Sequence, residues 1–212
     1  EVTRCYAEFF AVTGFGSIRF GFDASVVTDQ NNPLQRIVRE VDDNVNVNTD
    51  GTMRIAGSCI ADADFTASSL INMSPSYDFD LTIQGGYPVT ADGPQFDVTP
   101  DPIANPTLLD INTDERSVTD GAVIRINDAD INVTLAGLTL RGASEFVYAV
   151  ATSATTTIRQ SIIEDNSGGG VEAGSKLLTV EDSIIRNNQQ GFDGGGIHAN
   201  NGLILVNTQV TG

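Results

Sequence analysis

The chain has a single histidine, His198, and its chemistry depends on which residues share its surroundings. A Ser-His-Asp hydrolase would set its serine on a sharp strand-to-helix turn, yet the sequence has no Gly-x-Ser-x-Gly segment. Spacing instead predicts His198 in a column with Arg125, Tyr148 and Glu172, the outward residues of one strand on successive turns of a repeat. That column reads as an ordinary solvated face, or as a shallow surface for a glycan or protein partner with Tyr148 as the stacking ring. The Arg-Glu-His order also admits a proton-transfer pair. Asp128 and Asp130, in Asn127-Asp128-Ala129-Asp130, are the candidate metal ligands, because an oxygen-rich turn offers Ca2+ carboxylates and carbonyls. Their spacing is neither that of an EF-hand nor that of a glycine-rich nonapeptide. Most other acids read as solvated: Asp42 and Asp43 at a helix end, Asp62 and Asp64 in a loop, Asp110 in a turn. Cys5 and Cys59 are compatible with one disulfide in a secreted protein, or with two buried thiols. They lack the spacing of a zinc site. Gly85-Gly86 lacks the spacing and following helix of a phosphate loop. Asn72-Met73-Ser74 and Asn132-Val133-Thr134 match the glycosylation sequon.

Composition narrows the partners. Acids outnumber bases 28 to 11, giving a formal charge of −17, and Lys176 is the only lysine. Such a balance disfavours nucleic acid and anionic membrane surfaces. Hydrophobic residues make up 40% of 212, enough for one domain with a sizeable core and too many for a disordered acidic tail. No apolar run approaches the roughly 20 residues of a membrane span, so no membrane insertion is expected. No signal peptide precedes Glu1, as in a processed, secreted protein.

These residues need elements to hold them. Ile18, Phe20 and Phe22 alternate as in a strand. Leu34, Ile37, Val38 and Val41 lie on one helical face, with Asn32 as cap, Pro33 at the first position and Asp42-Asp43-Asn44 at the end. Strands resume at 52–55 and 81–83. Five prolines between Pro88 and Pro106 mark an excursion loop, since strand-like sequence continues on both sides.

From about residue 120 the sequence repeats. Segments 133–140, 156–163, 178–185 and 203–210 align, with Leu135, Ile158, Val180 and Leu205 in one column and Leu140, Ile163, Ile185 and Val210 in another. Both columns step by 23, 22 and 25 residues. A third column, Ile124, Val147, Val171 and Ile197, steps by 23, 24 and 26, followed two residues on by Ile126, Ala149, Ala173 and Ala199. Leu138, Ser161, Ser183 and Thr208 are predicted inward near a bend. Asn166 and Asn188 share a turn, Arg141, Glu164 and Arg186 share an outward column, and Arg159 lies over Glu181. Gly168-Gly169-Gly170 and Gly194-Gly195-Gly196 precede the third strand, where positive φ is expected. Strands this short cannot bury a face alone. Stacked as coils they form an all-β parallel solenoid whose like side chains sit over one another.

Three segments carry a family resemblance: Leu81-Thr82-Ile83-Gln84-Gly85-Gly86-Tyr87-Pro88, Asn105-Pro106-Thr107-Leu108-Leu109-Asp110 and residues 133–142. With Ser183-Ile184-Ile185-Arg186-Asn187-Asn188 and Gly194-Gly195-Gly196-Ile197-His198-Ala199, they resemble secreted right-handed parallel β-helix proteins. These are the pectin-lyase-like solenoids, in particular the branch with polymorphic-outer-membrane-protein-type repeats. The resemblance implies a right-handed β-helix over 80–212 and an amino-terminal cap with one short helix within 1–79, which also holds the first irregular coils. It further implies secretion and a place at the cell surface, often as an adhesive or structural stalk. Enzymes of this superfamily use an arginine or lysine with calcium-binding acids, or two or three aspartates on adjacent coils, and the hydrolases add Gly-His-Gly and Arg-x-Lys runs. This sequence has neither run, and its acids do not fall in one strand column.

The expectation is therefore an extracellular structural or adhesive solenoid. Its last, incomplete coil would leave Leu203, Leu205 and Val210 uncovered, so either the full protein continues or another chain covers that end. The second reading makes them an assembly end, where copies join end to end into a filament or stalk. The alternatives are a module for surface glycans without turnover, and a polysaccharide lyase or hydrolase.

Overall fold

The computed structural model describes residues 4–13, 16–43, 50–63, 65–73, 79–111, 121–127, 130–145, 147–189 and 194–212. Its amino-terminal part is a hairpin of β1 (Cys5–Thr13) and β2 (Gly16–Ala24), followed by helix α1 (Pro33–Asp43). The first coil comprises β3 (Gly51–Ile60) and β4 (Ser69–Met73). The second comprises β5 (Leu81–Tyr87), a small β6 (Val89–Thr90) and β7 (Gly93–Pro94) hairpin, β8 (Thr107–Asp110) and β9 (Ala122–Ile126). Three regular coils follow: β10 (Asn132–Ala136), β11 (Leu138–Arg141) and β12 (Val150–Thr152); β13 (Thr155–Arg159), β14 (Ile162–Glu164) and β15 (Val171–Ala173); β16 (Leu178–Glu181), β17 (Ile184–Arg186) and β18 (Ile197–Ala199). The strands β19 (Leu203–Val206) and β20 (Gln209–Thr211) lie on top.

These strands make three parallel faces. The first stacks β3, β5, β10, β13, β16 and β19; the second stacks the end of β3 with β8, β11, β14, β17 and β20; the third stacks β4, β9, β12, β15 and β18. The chain is thus an all-β parallel solenoid with a single helix among the described residues. Inward residues form continuous aliphatic columns. Met53, Ile83, Leu135, Ile158, Val180 and Leu205 stand in one, and Cys59, Leu109, Leu140, Ile163, Ile185 and Val210 in another. Both expected columns are therefore single stacks.

Corners recur as faithfully as strands. Gly137, Gln160, Asp182 and Asn207 occupy the bend between the first and second faces, all with left-handed φ, from +47° to +65°. Gly142, Asp165 and Asn187 do the same after the second face. Asn and Asp tolerate this region better than other non-glycine residues. The inward polar residues beside these bends bond from coil to coil. The Leu138 N–H donates to Ser161 Oγ at 3.3 Å, and the Ser161 N–H to Ser183 Oγ at 3.1 Å. Buried Asn166 accepts from the Ala143 N–H at 2.9 Å and donates to Asn188 Oδ1 at 2.7 Å and to the Glu164 carbonyl at 3.0 Å.

The two ends differ. At the lower end β1 pairs antiparallel with β3 and closes the first face. Below the second face, the Ser58 N–H donates to the Arg4 carbonyl at 3.1 Å and the Val27 N–H to the Ile60 carbonyl at 3.3 Å. Helix α1 covers the third face. Asn32 caps the helix through the Leu34 and Gln35 N–H groups, as the sequence predicts, and also donates to the Leu70 carbonyl at 2.8 Å. The Gln35 side-chain amide accepts from the Asn72 N–H at 2.8 Å and donates to the Asn72 carbonyl at 3.1 Å, taking the place of a strand beside β4. Leu34, Ile37, Val38 and Val41 are buried beneath the first coil. Cys5 and Cys59 form a disulfide that ties β1 to the first coil. At the upper end β18, β19 and β20 each pair on one side only, and Leu203, Leu205 and Val210 are 42%, 46% and 41% exposed, whereas Leu178, Val180 and Ile185 one coil below are 0% exposed.

Three expectations need correction. The third face registers Ile124, Val150, Val171 and Ile197, at steps of 26, 21 and 26, so Val150 replaces Val147 and Thr152 replaces Ala149. Gly168 and Gly170 do not adopt positive φ. They are glycine because of close approach: a Cβ would lie 1.8 Å from the Val147 carbonyl at Gly168 and 2.5 Å from the Gly196 carbonyl at Gly170. Only Gly194 of the two triplets has the expected left-handed φ, +85°. Asp110 ends strand β8 and pairs with Arg141 at 2.7 Å, rather than lying in a turn.

The asparagine ladder gives a first test. Asn166→Ala leaves the Ala143 N–H without its acceptor and should cost about 1–3 kcal/mol in urea unfolding. Asn166→Asp should cost more at neutral pH, because it sets a carboxylate against Asn188 Oδ1 and the Glu164 carbonyl. That excess should narrow on acidification, as protonation restores a donor.

Candidate functional site

The third face carries the predicted stripe, and its register decides who belongs to it. The outward column runs Asn72, Arg125, Ala151, Glu172, His198. Arg125, Glu172 and His198 are therefore aligned as expected. Ala151 takes the position predicted for Tyr148, which separates Arg125 from Glu172 by two coil spacings, about 9.6 Å of backbone. Glu172 and His198 are direct register neighbours.

Tyr148 lies instead in the bend before β12 and is 4% exposed, so it offers no ring for a sugar to stack on. The bend is fixed by backbone bonds on both sides. Ala149 donates to the Gly169 carbonyl at 2.8 Å, and its own carbonyl accepts from Ile124 at 2.9 Å. The Tyr148 phenol oxygen reaches His198 Nδ1 at 3.3 Å, with the ring centroids 6.2 Å apart. The imidazole tautomer decides which group donates. A whole coil separates the two residues. That coil enters its third face through Gly168-Gly169-Gly170, and the Gly169 carbonyl accepts from the residue after Tyr148. Tyr148 is thus a buried support for His198 rather than part of the exposed stripe.

The other candidates are dispersed. Asp128 lies outside the described residues. The Asp130 carboxylate is 92% exposed and 4.0 Å from Lys176 Nζ. Among the described residues no three His, Cys, Asp or Glu side chains converge as a metal group. Leu203, Leu205 and Val210 lie on the exposed upper rung.

Two features of the structure are absent from the sequence reading. The first is an ionic cluster that anchors the excursion loop. Glu8 bridges Arg19 and Arg54, the latter at 3.3 Å; Arg19 also holds Asp97 at 3.1 Å, and Arg54 donates to the Phe96 carbonyl at 3.2 Å. The hydrogen bond to Glu8 raises the Arg19 guanidinium above its ordinary pKa. Tyr87 stacks edge-on against Phe96, and burial pushes its phenol up, with Arg54 opposing. The second is a groove of about 930 Å³ between the anchored loop and the second face. No local pattern announces either feature, because the partners are tens of residues apart.

Comparison of the chain with known protein families, with curated proteins and with solved structures finds no match.

The tyrosine pair gives a second test. Tyr148→Phe keeps the buried ring and removes one hydrogen bond. It should cost about 0.5–1.5 kcal/mol and shift the His198 imidazole resonances, which are unambiguous because the chain has one histidine. Tyr148→Ala should cost about 3–5 kcal/mol through the cavity it opens.

Proposed function

We propose that this chain is an extracellular structural or adhesive solenoid whose upper rung receives a further layer of strands, from continuing chain or from a second copy. The observation that carries this reading is the repeat itself, in which each coil seats the strands and aliphatic side chains of the next. Below, all three faces meet a strand, a backbone segment or a side-chain amide of the cap. Above, β18, β19 and β20 offer unpaired backbone edges beside half-exposed aliphatic side chains. Such an edge is a template for strand addition, in which backbone bonds supply affinity and side-chain columns supply register. Where a second copy supplies that layer, upper rung joins upper rung, because the lower end presents no coil-shaped edge, with antiparallel pairing about a two-fold axis. A longer stalk would need a second contact elsewhere. The disulfide supports an oxidising, extracellular compartment, and the acidic surface supports a soluble exterior. Among the described residues no helix is long and apolar enough to cross a membrane.

Sedimentation velocity at micromolar concentration should show a species of twice the chain mass. Leu205→Lys, which sets a charge in the rung, should return it to the monomer while its circular dichroism stays that of a β-solenoid. A strictly monomeric parent would overturn the junction.

A further inference from the structure

We infer that the groove between the excursion loop and the second face is a docking site for a basic, apolar peptide segment, independently of the upper rung. Its floor is the outward column Thr139, Ile162, Ile184 on three successive coils. Its wall is Pro100, Pro102 and Ile103, with Ile103 95% exposed at the lip. Outward isoleucines facing a proline wall are unusual on a chain with this many acids, and an apolar strip with a polar rim is the usual mark of an interaction surface.

The wall is held in place. Asp101 Oδ1 accepts from the Ile103 and Ala104 N–H groups at 3.0 Å each, and the Asp101 N–H donates to the Gly86 carbonyl at 2.7 Å. Prolines add stiffness, so little ordering is needed on binding. The loop's outer part is tied to the cap through Asp97 and to the first coil through Phe96.

Charge selects the occupant. Asp101 and Asp182 line the groove. In the next outward column Arg141 and Arg186 are already paired, with Asp110 at 2.7 Å and with Glu164 at 2.8 Å. The rim therefore keeps a net negative character within a chain of charge −17. A second copy would bring the same charge to the same rim. A sugar would find no aromatic ring among the lining residues. Apolar side chains bracketed by arginine or lysine satisfy both floor and rim. Strands β11, β14 and β17 pair on both sides, so the peptide gains no strand addition there and its affinity comes from side chains.

The test is fluorescence anisotropy at physiological ionic strength with a labelled peptide of about eight residues, enough in extended form to cross three coils. Its sequence alternates arginine with leucine and phenylalanine. We expect micromolar binding to the folded parent. Ile162→Asp and Ile103→Asp should each weaken it about tenfold or more, while the charge-matched Thr157→Asp on the first face leaves it intact. Ile103 is almost wholly exposed, so its variant remains a fair test if Ile162→Asp fails to fold. Binding that is retained or strengthened in Ile103→Asp would mark general attraction to an acidic surface and overturn the site. So would no binding by the parent, or equal binding of a peptide with glutamine for arginine. Self-association of the parent that Ile103→Asp abolishes would assign the groove to a second copy, and would also overturn the proposal. A failed rung junction, by contrast, shows as a monomeric parent in sedimentation and leaves this assay unaffected.

Discussion

Every backbone edge in a stack of short parallel strands has to meet another strand or a substitute for one. A three- or four-residue strand such as β15 or β16 makes too few bonds and buries too little surface to persist alone. It exists because Val171 and Val180 lie over Val150 and Ile158 and under Ile197 and Leu205. The cap answers this requirement at the lower end with three different devices. An antiparallel strand closes the first face, backbone groups of Arg4 and Val27 close the second, and the Asn32 and Gln35 side-chain amides close the third. The helix is therefore placed by the need to cover β4, and its apolar face fills the space beneath the first coil.

Burying polar groups in such a stack costs free energy unless each finds a partner. The serine and asparagine columns meet that condition by repeating with the coils. Ser161 Oγ accepts from the coil below and donates to the Arg159 carbonyl within its own coil. Asn166 serves the Ala143 N–H below and Asn188 above. These bonds work only when coils are in register, so they penalise a two-residue slip, which would keep aliphatic side chains inward. The left-handed corners act the same way. A slip would move Asp182 or Asn187 out of the bend and drive a bulkier residue into positive φ.

Legibility followed the repeat. The first two inward columns, the helix with its Asn32 cap, the bend serines and the asparagine ladder were readable because each recurs at nearly constant spacing or sits at a helix start. Register on the third face was not. Residues 147–151 are Val-Tyr-Ala-Val-Ala, and alternation fits either Val147 or Val150 as the inward residue. Equal coil lengths favour Val147. The protein takes Val150 because the step into it is long, 26 residues, and the next short, 21, so that Val150 donates to Gly170 at 3.0 Å. The glycines of 168–170 carried that information as a steric requirement, which a reading based on φ alone misses. The Glu8–Arg19–Arg54–Asp97 cluster joins residues from three distant segments and leaves no periodic trace.

The regular coils also limit where function can arise. Outward residues of one column are held about 4.8 Å apart along the axis and point the same way. Such a stripe presents Arg125, Glu172 and His198 in a row, and Ala151 between Arg125 and Glu172 keeps the arginine two coils from the acid. Residues distant in the repeat are brought together here by segments that leave it and return. The bend before β12 does this when it brings Tyr148 to His198, and the excursion loop does it when Pro100, Pro102 and Ile103 stand over Ile162 and Ile184. Both departures are fixed by contacts that the repeat itself does not need: the glycine passage in one case, the ionic cluster and the Asp101 turn in the other. On this solenoid the ladder supplies length and regularity, and the irregular segments bring together side chains that the repeat keeps apart.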